Sequence, residues 1–277
     1  MRATRSAWHK GSAPMRREEE QASDEGLKEP GGKLRLFVDA PLGSGLAVAL
    51  DPKQTHYLMR VMRAHEGDSV SLFNGRDGEW RAKVAGTGKR AVPLVCELQQ
   101  ALQTEVPDIW LAFAPIKRTP ADYVTQKATE LGVCVLQPVI THRTIARRVN
   151  IERMQANAVE AAEQSGRLSV PQVRAPVDLK SLLAHWSAER RLIFCDEGGD
   201  ALPIANALGA ARGMAASWGV LTGPEGGFDA EERAFIRGKP FVTPVTLGPR
   251  IMRADTAALA ALAVWQAICG DWGRAVL

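Results

Sequence analysis

From residue 34 onward the chain falls into two hydrophobic rhythms. Up to about Glu105 the apolar positions come in short runs of period two, so residues 34–38, 69–74, 79–85 and 91–99 read as strands. Turns at 76–78 and 86–90 separate the later runs. Asp51 followed by Pro52 is a helix-start pair, which predicts one helix running through Arg63. The result is a small β barrel or sheet carrying a single helix. Residues 104–107 mark a boundary, because beyond them strands alternate with helices. Residues 109–114, 133–136 and 192–195 read as buried strands. Helices are predicted from Thr119 and Pro120 to Leu131, and over 150–165 with Asn150 as cap. The last of these strands runs into a loop at 196–200 rich in Gly and acid. Such alternation predicts a parallel sheet with helices on both faces.

Composition narrows this picture. A chain of 277 residues with 45% hydrophobic content can bury a sizeable core and is expected to form two domains. The formal net charge of +4 favours a polyanionic partner without demanding one. No apolar run approaches the roughly twenty residues of a membrane span, so a protein free of the membrane is expected. Cys96, Cys134, Cys195 and Cys269 lie far apart in apolar neighbourhoods, as reduced thiols of a cytoplasmic protein would. The histidines show neither HxH nor HExxH spacing, and no metal is expected. In residues 1–32 six Lys/Arg face six Asp/Glu with no hydrophobic period, which predicts a disordered tail. That tail has no signal-peptide core, and the acidic run at 18–20 argues against a transit peptide.

Two strand-loop-helix units near the C-terminus carry the candidate chemistry. The first, WGVLTGPEGGFDAEE, has a strand at 218–221 and then Gly223, Gly226 and Gly227, which permit unusual dihedrals and leave room for a ligand. Asp229 and Glu232 form a capping box, so a helix starts there. The second, VTPVTLGPRIMRADTAALAALAVWQAICG, has a strand at 242–247 and a loop at 248–253 with Arg250 and Arg253. A long helix follows, capped by Asp255 or Thr256 and ending before Gly270. Taken alone, a Gly-rich turn reads equally well as a merely tight turn. The spacing is not the GxGxxG of a dinucleotide fold, there is no Walker loop, and neither Ser/His/Asp nor Cys/His catalysis has a recognisable local context.

Together, LTGPEGGF and, about twenty residues on, LGPRIMRADTA resemble the final motifs of the SPOUT methyltransferases. Within that superfamily the chain looks most like the RsmE family, which methylates N3 of a uridine in small-subunit ribosomal RNA. The likeness continues through KATELGV at 127–133, THRTIARR at 141–148, EAAEQSGRLSVP at 160–171 and HYLMRVMRAHEGDSVSLFNGRDGEW at 56–80, and so covers nearly everything after Gly32. Two positions depart from the family pattern, Asp255 in place of Glu and Met252 in place of Leu.

The resemblance implies an α/β fold: a C-terminal SPOUT trefoil-knot domain with a parallel sheet (106–277), preceded by a PUA-like β-barrel domain that helps to hold RNA (33–105). S-adenosylmethionine would lie against Leu221, Thr222, Gly223, Gly226, Gly227, Leu247, Gly248, Ile251 and Met252. The four apolar members of that set read equally well as ordinary core. Arg60, Arg63, Arg76 and Arg81 are candidate phosphate contacts, with Arg143 a fifth RNA-binding candidate, and any one of them reads as well as a solvated surface charge. For the chemistry the candidates are Arg253 and Arg250, which would stabilise charge developing on the base, and Glu225 as a base; a carboxylate accepting from loop amides is the plainer reading of Glu225. The final helix carries more small and apolar residues than one buried face requires. It fits either a homodimer contact, as the resemblance implies, or a helix buried within one chain. A non-catalytic RNA-binding assembly factor and a SPOUT methyltransferase acting on another RNA are the alternatives.

Overall fold

The computed structural model describes residues 28–29, 32–86, 92–116, 118–146, 148–198, 200–213 and 215–273. The tail expected at 1–32 lies outside these, apart from a short antiparallel ladder of β1 (Lys28–Glu29) with β2 (Gly32–Lys33). All but the first residue of the turn expected at 86–90 also lies outside.

The first unit contains β3 (Arg35–Phe37), β4 (Ala47–Ala49), α1 (Pro52–His56), β5 (Ser69–Phe73), β6 (Glu79–Val84) and β7 (Pro93–Ala101), in the sheet order β3-β5-β6-β7-β4. Inward-facing Leu34, Leu36, Val70, Leu72, Ala82 and Leu94 fill it, which accounts for the period of two. Asp51 caps α1 with a full capping box to Gln54, as Asp-Pro suggests. The helix does not run to Arg63 as α-helix. It opens into a π-helical turn at Tyr57–Val61 and closes with the Ala64 amide donating to the Leu58 carbonyl. Arg63 takes the left-handed position of that closure, with φ of 55°, a place usually given to glycine.

The second unit is built from β8 (Asp108–Phe113), α2 (Arg118–Glu130), β9 (Val135–Ile140), α3 (Ile151–Ser165), β10 (Gln172–Val173), β11 (Val177–Asp178), α4 (Leu179–Ala184), β12 (Arg191–Cys195), β13 (Leu202–Pro203), α5 (Ile204–Ala211), β14 (Ser217–Thr222), α6 (Ala230–Arg237), β15 (Val242–Thr246) and α7 (Ala254–Ile268). Its sheet runs β10-β9-β8-β14-β12-β15-β13 with every pairing parallel, and β11 also pairs with β9. Alternate residues of β8 face opposite layers. Ile109, Leu111 and Phe113 pack with α2, α5 and α7, while Trp110 and Ala112 pack with α4 and α6. Helices thus cover both faces, as a parallel sheet requires.

Strand β12 lies between β14 and β15, yet α7, which follows β15, packs back on β14, α2 and α5. This return of α7 past β12 is where the resemblance places the trefoil knot.

A buried guanidinium joins the two units. Arg35 donates at 3.0 Å to the carbonyls of Ala162, Glu163 and Arg167 at the end of α3, and pairs with Glu79 at 3.3 Å. The Glu163 carboxylate accepts from the Phe37 amide, and Phe37 and Phe73 pack against Ala162 and Leu168. The cation also complements the negative end of the α3 dipole. Removing this group should leave several buried carbonyls short of a donor. Arg35→Ala is expected to lower the stability by about 3 kcal/mol, read from the midpoint of urea unfolding; an unchanged midpoint would show that the apolar contact alone holds the units together.

Candidate active site

The carboxyl ends of β12, β14 and β15 lie side by side, and each runs straight into a loop. Between the loops opens a cleft of about 500 Å³ walled by residues 195–198, 222–225, 227–228 and 246–254. Ligands of open α/β sheets bind at this edge of the strands.

Of the residues singled out in the sequence, Thr222, Gly223, Glu225, Gly227, Leu247, Gly248, Arg250, Ile251, Met252 and Arg253 line the cleft. Two candidates do not. Leu221 is fully buried among Phe194, Ile236 and Phe241, because its place in β14 turns it to the α4/α6 layer. Gly226 sits behind the wall, its carbonyl accepting from Arg143 Nη1 at 2.8 Å. The dihedral argument for glycine holds at Gly227 (φ 66°) and Gly248 (φ 110°). At Gly223 the constraint is space instead, since a Cβ there would lie 2.8 Å from the Phe228 ring.

The cap of α7 also differs from expectation. Arg253, not Asp255 or Thr256, occupies the N-cap, its carbonyl accepting from the Ala257 amide at 2.8 Å while its side chain makes no capping bond. The Arg253 guanidinium is thus left free of capping and exposed at the cleft. Arg250 and Ile251 are exposed too, and Ile251, 88% accessible, is no core residue in this chain. Glu225 stands exposed on the opposite lip.

The arginines proposed for RNA divide. Arg60 and Arg63 are exposed. Arg76 is held by Asp39, through its carbonyl at 2.7 Å and its carboxylate at 3.3 Å, and half-buried Arg81 faces Glu97 at 3.8 Å. Arg143 belongs to a loop docked on the glycine wall. Beside it the His142 amide donates to Glu232 at 2.8 Å, and His142 Nδ1 lies 2.7 Å from the Asp229 carboxylate.

The sequence reading passed over Cys195, Asp196, Glu197, Phe228 and Arg233, all of which line the cleft. Arg233 and Arg237 stand four apart on α6, one turn of helix, and that spacing opposite the acidic 196–200 segment was the available signal. Burial pushes the Asp196 carboxyl up, but hydrogen bonds from Arg233, Arg237 and the Gly198 amide outweigh it and hold the group below the ordinary 3.8. Burial raises the Cys195 thiol to about 12, so it stays protonated and is no nucleophile. Among the described residues no group of three or more His, Cys, Asp or Glu could hold a metal ion. No helix among them is long and apolar enough to cross a membrane.

The sequence profile of an RNA methyltransferase domain matches residues 103–266, and that of an RNA methyltransferase PUA domain matches 50–95. The chain belongs to the RNA methyltransferase family. Ribosomal RNA small subunit methyltransferase E of Synechocystis is 32% identical over 80% of this chain and 73% of its own length. The crystal structure of the methyltransferase E of Neisseria gonorrhoeae, bound to S-adenosylmethionine, is 30% identical, covers 87% of this chain and 99% of that one, and superposes with a TM-score of 0.76. A methyltransferase of Legionella pneumophila in complex with the same cofactor is 29% identical, with 86% and 99% coverage and a TM-score of 0.76. This RNA methyltransferase uses S-adenosylmethionine, and its cleft fits that group. The volume lies in the range of small-molecule sites, two left-handed glycines keep Cβ atoms off the wall, and Leu247, Met252 and Phe228 offer apolar surface.

Acid should weaken this wall. The folded pKa of Asp196 lies below the unfolded 3.8, so its contribution to stability is complete above pH 3.8 and is lost as the pH falls through the folded value. The thermal midpoint is expected to hold from pH 7 to about 5 and to drop below about 4. In Asp196→Asn the acid drop should be shallower than in wild type, as scanning calorimetry would record.

Proposed function

We propose that this chain transfers a methyl group from S-adenosylmethionine to N3 of a uridine in small-subunit ribosomal RNA, as a cytoplasmic homodimer. The observation that carries this reading is the pair of exposed arginines, Arg250 and Arg253, lining a glycine-walled cleft. We assign residues 33–105 to RNA holding and 106–277 to catalysis, with Arg60, Arg63 and Arg143 as the accessible phosphate contacts. Arg76 and Arg81 would first have to leave their carboxylates.

Thr222, Gly223, Gly227, Leu247, Gly248, Ile251 and Met252 would hold the cofactor, with Leu221 and Gly226 shaping the loop from behind. When bound, the cofactor supplies an electrophilic methyl group on its sulfonium. Uridine N3 lies on the Watson–Crick edge and bears a proton, so the base must be unpaired before it can react. Losing that proton spreads negative charge onto the two carbonyl oxygens flanking N3. An arginine stays charged and donates a planar fork, which suits Arg253, with Arg250 beside it, to hold that charge. Glu225, which also lines the cleft, is the candidate acceptor of the N3 proton.

The two roles separate by substitution. Gly227→Val puts a branched side chain at a left-handed position and against Glu197, and should abolish calorimetric binding of S-adenosylmethionine in a folded protein. Arg253→Lys should bind the cofactor normally yet lose about 100-fold in single-turnover rate on undermethylated small subunits, because the charge stays and the fork goes. Wild-type turnover in that variant would remove Arg253 from the chemistry. Mass-spectrometric mapping of the modified nucleoside tests the target itself.

For the dimer, the support comes from α7. It buries Ala258, Ala261, Leu262 and Trp265 within its own chain, while Thr256, Ala260, Ala263 and Ala267 form a half-open face of small residues that allows close helix contact. Light scattering at micromolar concentration should give twice the 30.0 kDa chain mass; a monomer there would refute the dimer.

A further inference from the structure

One wall of the cleft is fastened by a charge cluster outside the motifs discussed above. Arg233 and Arg237 project from one face of α6 onto the segment that leaves β12. Arg233 Nε donates to Asp196 Oδ1 at 2.7 Å and Arg237 Nε to Asp196 Oδ2 at 2.6 Å, so one buried carboxylate is gripped on both oxygens. Asp200 accepts from Arg233 Nη2 at 2.9 Å and from Arg237 Nη1 and Nη2 at 2.9 and 2.7 Å. The Gly198 amide also donates to Asp196, and its Cα lies so close under the Arg233 guanidinium that a Cβ would displace it. Two arginines four apart on a helix repel each other. Here two aspartates sit between them, and the cluster is neutral.

The placement gives the cluster a use. Helix α6 starts from the glycine loop at Asp229 and leads through a short connection into β15, which ends in the Arg250 loop. Two walls of the cleft are therefore attached to α6 through the chain itself. The third, residues 195–198, is not continuous with α6; its backbone is held to β15, by the Asp196 amide donating to Val245 at 2.9 Å and by the pairing of β13 that follows it. We propose that Arg233 and Arg237 are positioning residues for cofactor binding: through Asp196 and Asp200 they lock the 195–198 wall to α6, so that all three walls keep one geometry. The inference rests on the cleft being the S-adenosylmethionine site. Arg237 reaches that site only through Asp196 and Asp200, which makes it the cleaner residue to change.

Calorimetry with S-adenosylmethionine on the full chain, without RNA, tests it. Arg237→Gln is expected to raise the cofactor Kd about tenfold, and Asp200→Asn, at an exposed position, about threefold, as loss of charge-assisted hydrogen bonds from a preorganised wall should. Arg237→Lys should fall between wild type and Arg237→Gln. The control is Arg190→Gln. Arg190 makes a comparable two-pronged pair with Asp108, at 2.6 and 2.7 Å, at the opposite end of the same sheet. It should lower the thermal midpoint and leave the cofactor Kd unchanged. The proposal is overturned if Arg237→Gln and Asp200→Asn bind within twofold of wild type, or if Arg190→Gln weakens binding as much as Arg237→Gln does, since the effect would then be general destabilisation. Wild-type protein that binds no cofactor would overturn the site reading and the positioning role with it, a result distinct from equal binding by all variants.

Discussion

The double pairing of β12 is the constraint on which the catalytic unit depends. Residues 192–194 are paired on both sides, to β14 and to β15, so every strand around them is forced parallel and in register. A buried parallel strand satisfies all its backbone groups within the sheet, and its connections must leave at the edges. Three loops consequently emerge together at one edge, and the cleft is the space between them. The same arrangement leaves α7 a single way home, back across β12 to the layer of α2 and α5, where Trp265 and Leu262 find their buried places.

Local chemistry was readable wherever a short stretch decides its own shape. Asp51, Asn150 and Asp229 cap helices as their spacing implies, since an N-cap is settled within four residues. Failures came where distant residues decide. The helix after Pro52 opens into a π turn over buried Leu58, which no window of apolar spacing reveals. Arg253 displaced Asp255 as the N-cap of α7 because the chain is delivered there by β15 and the loop after it, not by a capping side chain.

The candidate site was legible as backbone and less so as side chains. Where a strand is covered on both faces, its two alternate sets are equally apolar, so sequence could not tell that Leu221 looks away from the cleft while Thr222 lines it. Nor could it pair Arg81 with Glu97, because those partners are brought together by the register of β6 on β7. Arg35 belongs to the same class. It reads as one more basic residue in a strand, yet it fixes the first unit to the end of α3 and so sets where that unit lies relative to the cleft.

The knot has a consequence in time. Helix α7 follows every other wall of the cleft along the chain, and it has to pass the loop after β12 before it can pack. During synthesis the strands β8, β12 and β14 can assemble without it, but the glycine loop then faces an unfinished pocket. The site comes into being only with that step. A half-made enzyme therefore has no partly working site with which to sequester cofactor or modify RNA. Catalytic competence arrives all at once, and at the end.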